Sequence, residues 1–540
     1  MKRKFFQVVF AAFTIGSILA ACSDNTANNN EESSPTSNET ENVPNEGDMI
    51  FPETVNLDIP VYDRAFEGWD VADNYYTRWV QEDFGDQYNI DVNFVPISRS
   101  NEVTDFQQLL ASGNAPDIIY HYDMPQALSY YGSGVLQPLD LDEIAQYAPT
   151  YWEKLSDTID QYSVVDGQNT FFFAERPDFA NYVSIIRKDW VEQVGMKVED
   201  LTSLEKMNEM AQKWKEAGLG TLGGSLTANV YNYNYAFRDW PIDPEYRALY
   251  SDLRVADLTT DETEAWLRNL SYQYHNGLID QEFYLRDDVK AEFVAGRTGT
   301  YGEYISSNTD LFEAVLKNNP EAEFAVTPPY AGTPEGNIPQ GRADFPFGLI
   351  MGINEAATDE ERIAVWMYLE WMSQPENLFK LQNGIEGENY TLDSEGLPIS
   401  NTEYNGEAKL SMNNNKDYWA LVTEAPDFGS EELTRKAMEN FWSPPGYEYI
   451  VDDMFKYQEE TKEYATPDAL FTTVIESQRE YQADLNALFQ ELYLKVVLGP
   501  EEKFDEEYEK AKQQYLNTGY QEILDEKQAA IDAGQYNYIE

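Results

Sequence analysis

An α/β fold built in two or three lobes is predicted by three observations on this 540-residue chain. Strand-like and helix-like runs alternate from residue 55 onward, apolar and aromatic runs recur throughout, and about 490 residues follow an apolar-poor linker, ample for more than one core. The alternation opens as a strand over 55–61, a helix over 73–84, a strand over 90–95, a helix over 103–111 stopped by Gly113, and a strand over 118–120. Such a β-α-β-α-β opening favours a parallel sheet covered by helices, with ligands collecting beyond the C-terminal ends of the strands. A second unit begins near Tyr182 with a strand over 183–186, a helix opened by Asp189-Trp190 and ended by Gly195, and a further helix capped by Thr202 or Ser203 with Glu205 in its first turn. Helices continue to about Asn276, and strands are expected at 299–301 and 324–327. A Pro- and Gly-rich stretch over 328–341 then precedes a strand at 349–353 and a periodic helix over 359–372. On that helix Ala364, Met367, Tyr368, Trp371 and Met372 share one face, which reads as core rather than as a cofactor box.

Charge excludes one class of partner. With 97 Asp and Glu against 37 Lys and Arg, the chain carries a formal charge of -60 at pH 7, so nucleic acid is not expected, because phosphate backbones are bound largely through basic side chains. His121 and His275 are the two histidines, and Cys22 is the one cysteine, which leaves little material for a catalytic triad or a zinc site. No acidic twelve-residue calcium loop and no Gly-Lys-Ser/Thr phosphate loop occurs, so neither a metal nor a cofactor is expected. Gly218-Leu219-Gly220-Thr221-Leu222-Gly223 matches a dinucleotide fingerprint by letter. It follows a helical stretch rather than a strand, so a helix C-cap and a loop are the expected reading.

Lys2, Arg3 and Lys4 precede a mostly apolar run over 5–19, too short and too broken to span a membrane comfortably, and Leu19-Ala20-Ala21-Cys22 follows. This reads as a signal peptide over 1–21 whose small pair ahead of Cys22 resembles the bacterial lipobox, where the thiol receives diacylglycerol. The expectation is a protein held by acyl chains on the outer face of the cell membrane of a Gram-positive type bacterium. Residues 22–50 are dominated by Asn, Ser, Thr, Glu and Pro and read as a disordered tether, with an end-to-end distance of roughly 30 Å.

Further motifs carry a resemblance. Leu109-Leu110-Ala111-Ser112-Gly113-Asn114-Ala115-Pro116-Asp117-Ile118, the segment Ile186-Arg187-Lys188-Asp189-Trp190 followed by Leu201-Thr202-Ser203-Leu204, Phe293-Val294-Ala295-Gly296-Arg297-Thr298-Gly299, and Gly384-Ile385-Glu386-Gly387-Glu388-Asn389-Tyr390 occur in an order and spacing similar to those of the extracellular solute-binding lipoproteins of ABC importers. The likeness is to the branch of large carbohydrate-type binding proteins. It implies a two-lobed periplasmic-binding-protein-like fold (type II), whose lobes are joined by hinge crossovers and close over a solute. It also implies a monomer that delivers a small-molecule solute, an oligosaccharide in this branch, to permease subunits, and no enzymatic activity. The lobes are expected at 51–178 with 345–395, and at 179–344 with 396–540.

A sugar site pairs stacking aromatics with planar polar groups. Trp69 and Asn74 follow the first strand, and Tyr122 and Asp123 follow the third. Glu303 and Tyr304 follow a strand that the resemblance brings to the ligand. Arg238 with Trp240 lies where the resemblance places an aromatic platform, Arg342 and Asp344 precede a crossover, and Glu386 with Glu388 sits in the branch-specific loop. Arg64, Arg238 and Arg342 leave open whether the solute is neutral or a uronate. Three rival readings are a surface glycosidase using paired carboxylates about 5 to 10 Å apart, the same fold binding a peptide or another non-sugar solute, and an adhesin or structural lipoprotein, whose internal repeats are missing from this sequence.

Overall fold

The computed structural model describes residues 50–65, 68–176, 182–223, 244–250, 257–286, 289–304, 308–332, 345–401, 403–410, 415–426, 428, 430–462 and 470–537. Strand β1 (Val55–Asp63) buries Leu57, Ile59 and Val61. Helix α1 (Tyr75–Val80) runs on through a π turn at Gln81–Gly85 into Asp86–Tyr88. Gln81 ties that turn to β2 (Ile90–Ser98), donating to the Ile90 carbonyl and accepting from the Val92 amide. Helix α2 (Glu102–Ser112) stops at Gly113, whose φ of +72° suits a residue without Cβ. Strand β3 (Ile118–His121) leads into α3 (Met124–Gly132), and β4 (Phe172–Glu175) ends the first passage through this part of the molecule.

A further sheet starts with β5 (Tyr182–Arg187), followed by α4 (Lys188–Gln193) and α5 (Leu204–Ala217). Ser203 caps α5 by accepting from the Lys206 amide, and Gly218 closes it at φ +69°, so the glycine-rich hexapeptide is a helix end and a loop, as its context predicts. Then come α6 (Asp261–His275), β6 (Thr300–Tyr304) and β7 (Phe324–Val326), with β5 central and antiparallel to both strands. The chain returns to the first lobe as β8 (Phe347–Ile353), α7 (Asp359–Ser373) and α8 (Pro375–Asn383). It ends in α9 (Glu476–Leu498), α10 (Phe504–Tyr515) and α11 (Gln521–Asp532), packed on the core of α4, α5 and α6.

The first lobe corrects one expectation. β1 and β2 form a parallel pair, in register from Val55 opposite Ile90 to Asp63 opposite Ser98, while β3, β8 and β4 form a separate three-stranded sheet in which β8 is antiparallel to both neighbours, so the strands do not make one parallel sheet. β8 is delivered from the second core by a crossover and not by a helix of its own unit, so the right-handed βαβ rule that enforces parallel strands does not act on it. Because β8 runs backwards, its N-terminal end lies beside the C-terminal ends of β3 and β4. The chain leaves the first core between Ala174 and Val183, returns between Ala331 and Phe345, and leaves again between Val422 and Met438. Tyr418–Val422, grouped with the second lobe by the sequence reading, contribute side chains to the first core. The five-residue stripe on α7 is buried as expected, and Val365, Trp366 and Leu369 are buried with it. This helix is sandwiched: Trp366 meets Phe172 edge-on at 4.9 Å, while Trp371 packs on Phe84 and Trp79 and donates to Asp83.

Asp117 joins β3 to β1. Its carboxylate accepts from the Asp58 amide at 2.8 Å, its own amide donates to the Asp58 carbonyl at 2.9 Å, and its carbonyl accepts from Asn354. Burial pushes this carboxyl up to about 7, outweighing the hydrogen bond from Asp58, with the charges of Glu361 and Asp58 adding to the rise. The folded acid therefore keeps a proton that the unfolded chain has lost, and stability falls as pH climbs from about 4 to about 7, by up to about 4 kcal/mol. Asp117→Asn retains an acceptor for Asp58 and removes the titration. It should melt higher than wild type at pH 8 and no higher at pH 4; parallel pH profiles for the two proteins in thermal melts would refute this account.

Candidate functional site

The C-terminal ends of β1, β2, β3 and β4 and the N-terminal end of β8 converge at one edge of the two sheets of the first lobe. Rings come first. Tyr62, at the end of β1, lies 4.9 Å from Tyr120 and stacks on Tyr122 at 6.2 Å with 15° between planes. The Arg99 guanidinium, just past β2, sits 4.9 Å from the Tyr62 ring and 5.3 Å from the Tyr122 ring. Such a stack is rigid and amphipathic.

Ion pairs surround the rings. Arg64 grips Asp417 with two hydrogen bonds of 2.6 and 2.9 Å, and Arg176 reaches Glu424 at 2.6 Å. Arg99 donates to Glu102 at 2.9 Å, and His121 Nε2 lies 3.0 Å from the same carboxylate. Burial would raise the Glu102 carboxyl, but the hydrogen bond and charge of His121, together with Arg99, outweigh it and hold it at about 2. Lys416, beside Asp417, is pulled below the ordinary lysine range by burial, against the opposing charges of Glu424 and Asp417.

Residues 415–424 reach this edge because the chain there pairs with β4. The Glu175 amide donates to the Val422 carbonyl at 3.0 Å, and the Glu424 amide donates to the Glu175 carbonyl at 2.8 Å. Glu424 then crosses β8 at Gly348, where an added Cβ would fall 2.0 Å from its carboxyl carbon. Gly348 is thus the gap through which Glu424 reaches Arg176. Gly348→Ala should displace Glu424, leave Arg176 without this partner and cost about 1 to 3 kcal/mol. A wild-type melting temperature for that variant would show that the edge yields at no cost.

The structure brings Tyr122 and Asp123 to this edge. Asp123 precedes α3, and its amide donates to His121 Nδ1 at 3.0 Å. Trp69 is half-buried and meets Tyr418, next to Asp417, edge-on at 6.5 Å. Asn74 is placed otherwise than a solute contact needs. It is buried as the N-cap of α1, accepting from the amides of Tyr76 and Thr77 and donating to the Asp70 carbonyl and the Tyr418 hydroxyl, so its amide group is fully engaged. Glu386 and Glu388 are exposed in the loop after α8, where Glu388 accepts from the Tyr404 hydroxyl at 2.6 Å. Glu303 and Tyr304 end β6, opposite Val183 and Tyr182 in register. Arg238, Trp240, Arg342 and Asp344, like Cys22, lie outside the described residues.

Sequence reasoning missed Arg99, Arg176, Lys416, Asp417 and Glu424 as site candidates. Arg99 and Arg176 could have been found, since each follows a strand directly. Asp417 and Glu424 carry no local signal, because only the pairing at Glu175 brings them here. Among the described residues no group of three or more His, Cys, Asp or Glu is arranged to hold a metal ion, and no helix is long and apolar enough to cross a membrane.

Comparison with known proteins places this geometry. The lipoprotein LipO of Bacillus subtilis (strain 168) is 23% identical over 325 residues, 56% of this chain and 62% of that relative, so the match spans less than two thirds of the relative's length. Among solved structures, the alginate-binding protein AlgQ2 without calcium ion aligns with a TM-score of 0.63 at 16% identity, covering 90% of this chain and all of that one. The S. pneumoniae ABC-transporter substrate-binding protein FusA, solved with kestose, aligns at a TM-score of 0.60 and 15% identity, covering 89% of this chain and 99% of its own. At these identities the likeness is one of fold, and that fold is the two-lobed α/β architecture of periplasmic solute-binding proteins. The profile of the bacterial extracellular solute-binding protein family matches residues 79–385, more than half of the sequence, and the chain belongs to that family.

Proposed function

We propose that this protein is a lipid-anchored binding protein that captures a neutral oligosaccharide between its lobes and delivers it to the permease of an ABC importer, without chemical turnover. The observation that carries the reading is the sheet edge itself. Stacked Tyr62 and Tyr122 offer faces for sugar C–H groups, and the paired Arg64–Asp417 and Arg176–Glu424 groups offer planar donors and acceptors to hydroxyls. Each of those arginines is already neutralised by a carboxylate, as Arg99 is by Glu102, so an incoming carboxylate would have to displace one. This favours an uncharged solute. The kestose complex of FusA is a precedent for such a ligand on the same fold.

In this reading Trp69, Tyr122 and Asp123 contact the solute from the first lobe, and Trp240, with Glu303, Tyr304 and Arg238, from the second. Arg342 and Asp344, which precede the crossover into β8 in the sequence, belong to the same proposed set. Native mass spectrometry of freshly purified protein should find a retained neutral oligosaccharide. In titration calorimetry with that sugar, Trp240→Ala should lose roughly 1 to 3 kcal/mol of binding while the melting temperature holds. Equal affinities would remove Trp240 from the site, and absence of any saturable sugar binding by the wild type would remove the function.

Anchoring rests on Leu19-Ala20-Ala21-Cys22 and is supported by the likeness to the lipoprotein LipO. Cys22→Ala should shift the protein from the membrane to the soluble fraction. A variant that remains in membranes until detergent is added would refute the lipobox.

A further inference from the structure

A second feature of the first lobe is a groove of about 600 Å³ between α1 and α8, closed at one end by the loop that carries Glu386. Tyr75, Phe379 and Tyr390 supply its aromatic walls. Lys380 lies among them, its ammonium 3.8 Å from the centre of the Trp79 ring and 5.7 Å from that of Tyr75. This cation is unusual in its company. Among the described residues no carboxylate comes within ion-pair distance of Lys380, in a chain where acidic residues outnumber basic ones by 97 to 37. Of the two acids whose charges act on Lys380, Asp83 accepts from the Trp371 indole, and Glu82 stays beyond ion-pair distance. Burial also pulls the Lys380 ammonium below the ordinary lysine range, against the charges of Asp83 and Glu82.

Rings alone compensate a half-buried ammonium weakly, and a carboxylate arriving from outside would meet an unneutralised partner. The groove also carries acceptors, because Glu376 and the exposed Glu386 lie on its wall. A dianion such as phosphate would be repelled by that pair. A ligand with one carboxylate, several hydroxyl donors and an apolar ring face satisfies all three kinds of wall. We propose that this groove is a second carbohydrate site, specific for an acidic sugar of the uronate type, with the sugar carboxylate on Lys380, hydroxyls donating to Glu386, and the ring face against Tyr75. It is distinct from the sheet edge, whose arginines are already paired, and it takes from the reading of that edge only the expectation that the ligand is a sugar.

The test is titration calorimetry of the intact chain with methyl β-glucuronide and methyl β-glucoside, which differ at the carboxylate alone. Wild type should bind the glucuronide at least tenfold more tightly, and 0.5 M NaCl should weaken that binding. Lys380→Gln should abolish the preference, and Lys380→Arg should keep it. Saturation with the neutral oligosaccharide that fills the sheet edge should leave glucuronide binding intact. If the glucuronide binds but Lys380→Gln retains the preference, or if the neutral oligosaccharide displaces it, the acidic sugar occupies the edge site and the groove proposal falls while the main function stands. If neither glycoside binds up to tens of millimolar while the neutral oligosaccharide still does, the groove proposal falls alone. Should Lys380→Gln fail to fold, the glucuronide preference, its salt dependence and the displacement arm in wild type decide the matter.

Discussion

The Arg64–Asp417 pair joins residues 353 positions apart, and the arrangement of the candidate site depends on it. Closing so long a loop carries an entropic cost that grows only slowly with length, so a bidentate ion pair, the backbone pairing at Glu175 and the buried Tyr418–Val422 side chains can hold it together. With that segment in place, Arg64 is oriented against Tyr62, Glu424 meets Arg176 through the gap at Gly348, and Lys416 has carboxylates on two sides. The same segment ends in the crossover to the second core between Val422 and Met438, so the pair couples the edge to the connection between the lobes.

Acidity shapes both sites in different ways. At the sheet edge, basic groups are brought in opposite buried carboxylates, which leaves a surface that is polar, rigid and nearly neutral, suited to hydroxyls. In the α1–α8 groove one ammonium is set against aromatic faces without an ion-pair partner, and Glu376 and Glu386 share the wall with it. Screening over about 8 to 10 Å at ordinary salt lets two such sites differ despite the field of the whole chain.

Much of the fold was legible because it rests on short-range signals. Gly113 and Gly218 mark helix ends through their left-handed backbone, Ser203 marks a helix start, and the α7 stripe marks its core face. The direction of β8 was not legible, because a strand's own residues do not say which neighbour it joins or in which sense. Asn74 shows the limit for the site: its place after β1 suits a ligand contact, but the same residue type is a strong helix cap, and α1 uses all of its amide. The burial of Trp366 together with Trp371 likewise reflects what lies on both sides of α7.

By itself the sequence determined the strand and helix order, the glycine-marked boundaries, the acidic balance and the motif order that points to the family, since each depends on residues close together in the chain. Only the tertiary structure decided that β8 runs antiparallel between β3 and β4, that Asp417 and Glu424 meet Arg64 and Arg176, and that Lys380 stands among rings without an ion-pair partner. Those features come from packing between segments hundreds of residues apart, where hydrogen-bond pairing and side-chain burial, rather than any local pattern, select the neighbours.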